Sequence, residues 1–185
     1  MKSKSTKKEN KNRILSYWDK FAEHEHRPDI AGEHPQGDLI QGLFFIVFIG
    51  AVIIDHLFLK TSTIFSPYFP IWARIPIAIL ILWFVWRLAV GGLRIVFGEI
   101  RKKPIVVNQG IFSQTRHPIY LGAILMYMAA LVLTLSLAAA AIWIFIILYY
   151  RFLARYEEKL LIGKFGDDYR QYMTQVPMWI PRPKT

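Results

Sequence analysis

The stretch TRHPIYLG, Thr115 to Gly122, gathers Arg116, His117 and Tyr120 directly in front of a long apolar run. Pro118 suits the first position of a helix, because its missing N–H is one of the groups a helix leaves unbonded there. That puts His117 at the cap and Tyr120 and Gly122 in the first turn. Such a helix start presents free N–H groups and the positive end of the macrodipole, a setting for a carboxylate or another anion. Arg116 and His117 would serve equally well as interfacial anchors. A second cluster, Arg151, Arg155, Glu157 and Glu158, follows the apolar run. Arg151, Arg155 and Glu158 stand at i, i+4 and i+7, and share one face of a helix that continues out of the apolar segment, with Glu157 a step round it. Adjacent glutamates beside two arginines suit a cationic ligand together with an anionic one. A solvated helix face with ordinary ion pairs accounts for the same residues.

Elsewhere, EHEHRPDIAGEHP offers His24, His26 and His34 among Glu23, Glu25 and Glu33. Three histidines can hold zinc, but without regular spacing on a defined element they read as a solvated loop, and no metal is expected. The chain has no cysteine, which excludes a disulfide framework, a thiolate nucleophile and a cysteine metal site. Asp55 and His56 lie near the end of an apolar run, where they act as interfacial caps or as a proton-relay pair.

The elements that must position these clusters are membrane spans. Of 185 residues, 54% are hydrophobic and the mean hydropathy is +0.30, too oily for a soluble domain of this length. The net charge of +10 comes from lysines and arginines that flank apolar runs, the pattern of positive-inside anchoring rather than nucleic-acid binding. No cleavable signal peptide is expected, since residues 1–30 are charged throughout and hold no apolar core. Residues 1–12 are lysine-rich and read as disordered. Ile14, Leu15, Trp18, Phe21 and Ala22 then recur at helical spacing, which predicts an amphipathic helix on the membrane surface. The chain therefore divides into residues 1–38, a basic tail with an interfacial helix, and residues 39–185, a transmembrane domain ending in a cytoplasmic segment.

Leu39 to Leu59 forms the first predicted span. Ile71 to Phe97 is the second, longer than a crossing needs and interrupted by Arg87, Gly91, Gly92 and Arg94, so that its last turns leave the hydrocarbon or line a cavity. The third run, Ile119 to Tyr150, would be about 48 Å long as one helix, against a hydrocarbon core of about 30 Å. A hairpin turning near Thr134 to Ala138 resolves this, and it keeps Arg116, Arg151 and Arg155 on one side of the membrane. The expected fold is an all-α integral membrane protein of about four transmembrane helices, including a short C-terminal helical hairpin, plus the N-terminal interfacial helix. Both termini are then cytoplasmic, and TRHPIYLG and the paired glutamates meet at one cytoplasmic mouth.

The segment NQGIFSQTRHPIYLG, a short apolar hairpin, and RYEEKLLIGKFGDDYRQYMTQVPMWIP together resemble the C-terminal signature of the isoprenylcysteine carboxyl methyltransferase family, shared in looser form with membrane phospholipid methyltransferases. The resemblance covers residues 104 to 181. It implies an integral membrane enzyme that transfers a methyl group from S-adenosylmethionine to a lipid-like or prenylated acceptor, leaving S-adenosylhomocysteine. It also implies a cofactor pocket built by the hairpin and the C-terminal segment, in keeping with the absence of a Gly-x-Gly-x-x-Gly turn after a strand. Carried over by position, Pro104, Ile105, Val106, Val107, Phe112, His117, Pro118, Tyr120, Glu157 and Glu158 would bind the cofactor. Arg155, Glu158 and Arg116 would be the catalytic set, with Arg155 on the acceptor's carboxylate. Family members often carry histidine at the position of Pro104 and tyrosine at that of Phe112.

Displacement at a sulfonium methyl is in-line, so positioning supplies most of the catalysis and no metal is needed. A carboxylate acceptor is already ionised near neutrality, whereas an amine acceptor would require a base from Glu157, Glu158 or His117. The lipid part of the substrate would enter between helices past Arg87, Gly91, Gly92 and Arg94; close helix packing is the other role open to the glycine pair. Phospholipid amine methylation is the alternative activity. A nicotinamide-dependent membrane sterol reductase, whose relatives are usually longer, and a non-enzymatic membrane scaffold are the remaining readings.

Overall fold

The computed structural model describes residues 36–60, 62–97 and 105–180. The expected interfacial helix, the histidine loop and Pro104 lie outside the described residues. Within them the chain is all helical. Helix α1 spans Gly37–Ile53 and widens into a π-helical turn over Ile54–Leu59; α2 spans Ile71–Phe97, α3 Pro118–Thr134, α4 Leu137–Phe165 and α5 Asp167–Gln175, with a short 3-10 turn at Gly110–Ser113.

Three of these helices, over Gly37–His56, Ile71–Val96 and Leu137–Phe165, are long and apolar enough to cross a membrane, and α3 is a shorter apolar helix of about 26 Å. Their outward residues are apolar and open: Ile46 is 68% exposed, Ile79 60% and Phe145 63%. A soluble protein does not leave so much apolar surface uncovered, so these faces mark an integral membrane protein. The buried interior is a cluster of Phe48, Ile124, Tyr127, Ala139, Ile146, Tyr150 and Leu153, drawn from α1, α3 and α4.

The apolar run from Ile119 does fold back on itself. Helix α3 closes at Leu135, whose φ of 51° is left-handed, with its N–H on the Leu131 carbonyl. Ser136 then caps α4 by accepting the Ala139 N–H at 3.2 Å. No glycine or proline marks this turn, and the strain of a left-handed leucine, about 1 kcal/mol, is offset by bonds from elsewhere. The Ser136 hydroxyl donates to Asp55 at 2.5 Å, and Asp55 also accepts the backbone N–H of Ser62 at 3.1 Å and the Ser62 hydroxyl. Asp55 is 3% exposed and ties the end of α1 and the following loop to the hairpin turn.

Helix α2 packs most extensively on α3. Gly92 makes this possible, because a Cβ there would stand 2.8 Å from Ile119 Cγ1 and 3.4 Å from Pro118 Cγ. The close-packing role open to the glycine pair is therefore realised at Gly92, while Gly91 faces Ile111 at an ordinary 3.5 Å.

Candidate active site at the start of α3

Pro118 occupies the first position of α3, is fully buried, and leaves His117 at the N-cap. His117 thus takes the cap position expected for it, but its ring makes no capping bond. It turns instead toward α4, with Nε2 3.2 Å from Glu158 Oε1 and Nδ1 3.4 Å from Glu157 Oε2. Arg116 lies alongside and donates from Nε to the same Glu158 oxygen at 2.7 Å. Tyr120, one turn into α3, stacks on His117 with ring centroids 5.6 Å apart and donates its hydroxyl to Glu157. Tyr150 of α4 also packs against Tyr120, with ring centroids 5.3 Å apart.

The segment after α5 closes the cluster. Gly166, at a φ of 58°, ends α4 and turns the chain into α5, whose Tyr169 and Tyr172 are buried with Val176. Beyond α5 the backbone runs beside residues 115–117: the Arg116 N–H donates to the Pro177 carbonyl at 3.0 Å and the His117 N–H to that of Met178 at 3.3 Å. The Thr115 hydroxyl adds a bond to Met178 O at 2.9 Å. Arg116 Nη1 donates to the Met173 and Val176 carbonyls at 3.0 and 2.6 Å, supplying partners to the open end of α5. Tyr172 donates to the Phe112 carbonyl at 2.6 Å, which fixes the 3-10 turn against α5.

Electrostatically, two carboxylates face one guanidinium and one imidazole. Burial alone would lower the pKa of His117, but hydrogen bonds and charge from Glu157 and Glu158 outweigh it and raise the ring above the ordinary histidine value. Burial pushes the phenols of Tyr169 and Tyr172 up, keeping both as donors. Arg116 and Glu158 are nearly closed to solvent, with side chains 9% and 7% exposed, whereas Glu157 is 21% exposed. Glu157, held from behind by Tyr120, is the more open of the two carboxylates.

The structure thus brings together Arg116, His117, Pro118, Tyr120, Glu157 and Glu158, while the Phe112 carbonyl is held to α5 by Tyr172. Val106 packs on the Tyr169–Tyr172–Val176 cluster, Val107 is half-buried and Ile105 is 50% exposed. The expected common face of Arg151, Arg155 and Glu158 is divided: both arginines are exposed while Glu158 is buried. Helical spacing aligned the three, but Arg116 and His117 cover only the last of them. Of the residues proposed as a substrate entrance, Arg87 is exposed over the Trp83 ring at 5.5 Å and Arg94 is exposed. Sequence reasoning missed Thr115 and the pairing of residues 115–117 with 177–178. The Val176-Pro177 pair and the i, i+3 spacing of Tyr169 and Tyr172 were the available signals.

Residues 76–168 match the family model described as phospholipid methyltransferase. Over 75 residues the chain is 43% identical to methanethiol S-methyltransferase 1 of Bradyrhizobium diazoefficiens, covering 38% of this chain and 24% of that protein. It is 30% identical over 90 residues to protein-S-isoprenylcysteine O-methyltransferase of Schizosaccharomyces pombe, covering 47% of this chain and 37% of the relative. For the Saccharomyces cerevisiae protein of the same name the values are 34% over 80 residues, with 42% and 33% covered. The matched region therefore spans between 24% and 37% of the length of these relatives.

Proposed function

We propose that this chain, which belongs to the phospholipid methyltransferase family, is an S-adenosylmethionine-dependent membrane enzyme that methylates a lipid-like acceptor, most readily the carboxylate of an isoprenylcysteine-type substrate. What carries the reading is the joining of Arg116, His117 and Tyr120 to Glu157 and Glu158 at one end of the helices, together with relatives named as methyltransferases.

The donor set fits the cofactor's chemistry. S-adenosylmethionine is cationic at sulfur and at its amino group, and it supplies a methyl group on a positively charged sulfur. Glu157 is the partly open carboxylate suited to the ammonium, and the partly buried Tyr120 ring beside it is suited to the sulfonium. Val106 and Phe112, both held against the α5 tyrosines, would line the pocket together with Ile105 and Val107. Tyr120 keeps Glu157 turned by its hydroxyl bond, while Arg116 and His117 neutralise Glu158 and hold α4 against α3. Arg155, exposed one turn before Glu158, would hold the acceptor's carboxylate, which is ionised near neutrality and needs no base. Rate enhancement then comes from alignment of nucleophile, methyl and leaving sulfur.

A second reading, methylation of an amine or thiol that must first lose a proton, draws on the contact between His117 and Glu157 and on the methanethiol-directed relative. In either case α3 serves as the fourth span, both termini face the cytoplasm, and the site opens there.

Calorimetric titration of the detergent-purified chain with S-adenosylmethionine, S-adenosylhomocysteine and NADPH tests the class. Binding of the first two alone supports it, and binding of neither refutes it. Transfer of labelled methyl to prenylcysteine analogues rather than to aminophospholipids or small thiols then decides between acceptors.

A further inference from the structure

At the opposite end of the helices from the Glu158 cluster, the loop after α1 encloses an open cleft of about 600 Å³ lined by His56, Lys60, Thr63, Ile64, Ser66 and Pro67. Its walls are anchored on three elements. Asp55 holds Ser62 to the end of α1 and to Ser136 of the hairpin. Arg74 of α2, 6% exposed, donates to the Leu133 carbonyl at 2.5 Å and to the Ser66 hydroxyl at 3.2 Å.

These anchors determine what the cleft presents. The Asp55 carboxylate is turned toward Ser62 and Ser136 and is not among the lining groups. The Ser66 oxygen accepts from Arg74, which leaves its proton to donate. Lys60 contributes an exposed cation, Thr63 a second hydroxyl and His56 a ring nitrogen. A cation with converging neutral donors is the set that recognises a phosphate oxygen cluster. Lys60 also holds a left-handed φ of 52°, a conformation that lysine adopts at a cost.

The rim indicates where such a phosphate comes from. Phe58 is 75% exposed, Phe65 53%, Tyr68 81%, Phe69 54% and Trp72 73%. Exposed aromatics at the ends of apolar helices form the belt that sits at headgroup depth. We infer that this cleft binds the headgroup phosphate of an anionic phospholipid, in the leaflet opposite the Glu158 cluster. The inference is independent of the methyl-transfer reading.

The test is native mass spectrometry of the full chain released from mixed micelles containing equal phosphatidylglycerol and phosphatidylcholine. Wild type is expected to retain phosphatidylglycerol preferentially, and Lys60→Gln to reduce that retention about fivefold, the effect of one cation at a membrane surface. Lys60→Arg should preserve it, Ser66→Ala should weaken it, and Arg170→Gln, a change of cation far from the cleft, should not alter it. If Lys60→Gln does not purify as a folded protein, the contrast between Ser66→Ala and Lys60→Arg reads out the same site. Equal retention of both lipids, or unchanged retention in Lys60→Gln and Ser66→Ala, would overturn the proposal. Thermal stabilisation by inorganic phosphate matching that by phosphatidylglycerol, and lost equally in Lys60→Gln, would assign the cleft to free phosphate instead and overturn the lipid source.

Discussion

Truncating Glu158 to alanine removes the group on which Arg116 and His117 both converge. Their side chains are 9%, 7% and 5% exposed for Arg116, Glu158 and His117, so the cations cannot recover water as replacement. Removing one partner of a buried pair costs about 3–5 kcal/mol. Arg116 keeps the Met173 and Val176 carbonyls at 3.0 and 2.6 Å and His117 keeps Glu157, which places the expected loss near the lower end, about 3 kcal/mol. For a chain of this length each kcal/mol moves Tm by about 2–4 °C, so Glu158→Ala should melt about 6–12 °C below wild type. The assay is thermal unfolding in detergent followed by tryptophan fluorescence, run as a cycle with Arg116→Ala and the double variant. Either single change already removes the ion pair, so the double variant should fall short of additivity by about 2 kcal/mol. Arg170→Ala, whose partner Asp167 is 93% exposed, should leave Tm unchanged. A coupling below about 0.5 kcal/mol between positions 116 and 158 would refute the buried clasp.

Because the pKa of His117 is raised above its free value of 6.5, its contribution is fully present below that pH and is lost as pH rises through the folded-state value. Wild-type Tm should therefore decline as pH rises above about 6.5 with a component that His117→Asn abolishes, and identical slopes in both proteins would contradict the double contact with Glu157 and Glu158. Gly92→Val should destabilise by about 1–3 kcal/mol through the 2.8 Å approach to Ile119, whereas Gly42→Ala, with nothing within 4 Å of the new Cβ, should not; denaturation midpoints compare the two. Tyr172→Phe should cost about 1 kcal/mol by releasing the Phe112 carbonyl, and hydrogen exchange should show faster opening around residues 110–115 if that bond holds the 3-10 turn.

Hydrocarbon thickness and charge placement were enough to read the long apolar helices and the hairpin, though not the short helix α5. The span expected over Ile71–Phe97 is α2 residue for residue, and the break in the run after Ile119 falls at Leu135 and Ser136, inside the expected turn. The span expected from Leu39 begins two residues earlier, at Gly37, and its end relaxes into a π-helical turn. Such features depend on neighbours along the chain and on a slab of nearly uniform thickness, both of which a single sequence encodes. The convergence of the Arg116–His117 segment with Glu157 and Glu158 was legible for the same reason, since a hairpin returns its two ends to one side.

What only the tertiary structure decided is who holds whom. Arg116 reaches Glu158 across 42 positions and the Val176 carbonyl across 60, and Ser136 reaches Asp55 across 81. Spacing put Arg151, Arg155 and Glu158 on one helical stripe, yet burial separates them, because burial is set by the segments that pack over a stripe rather than by the stripe itself. Asp55 looked like an interfacial group by position and is a buried clasp, because a serine from the loop and another from the hairpin turn arrive to satisfy it. Local periodicity carries no term for such meetings; they depend on side-chain reach and desolvation between strands of chain whose separation in space the sequence states only through the fold.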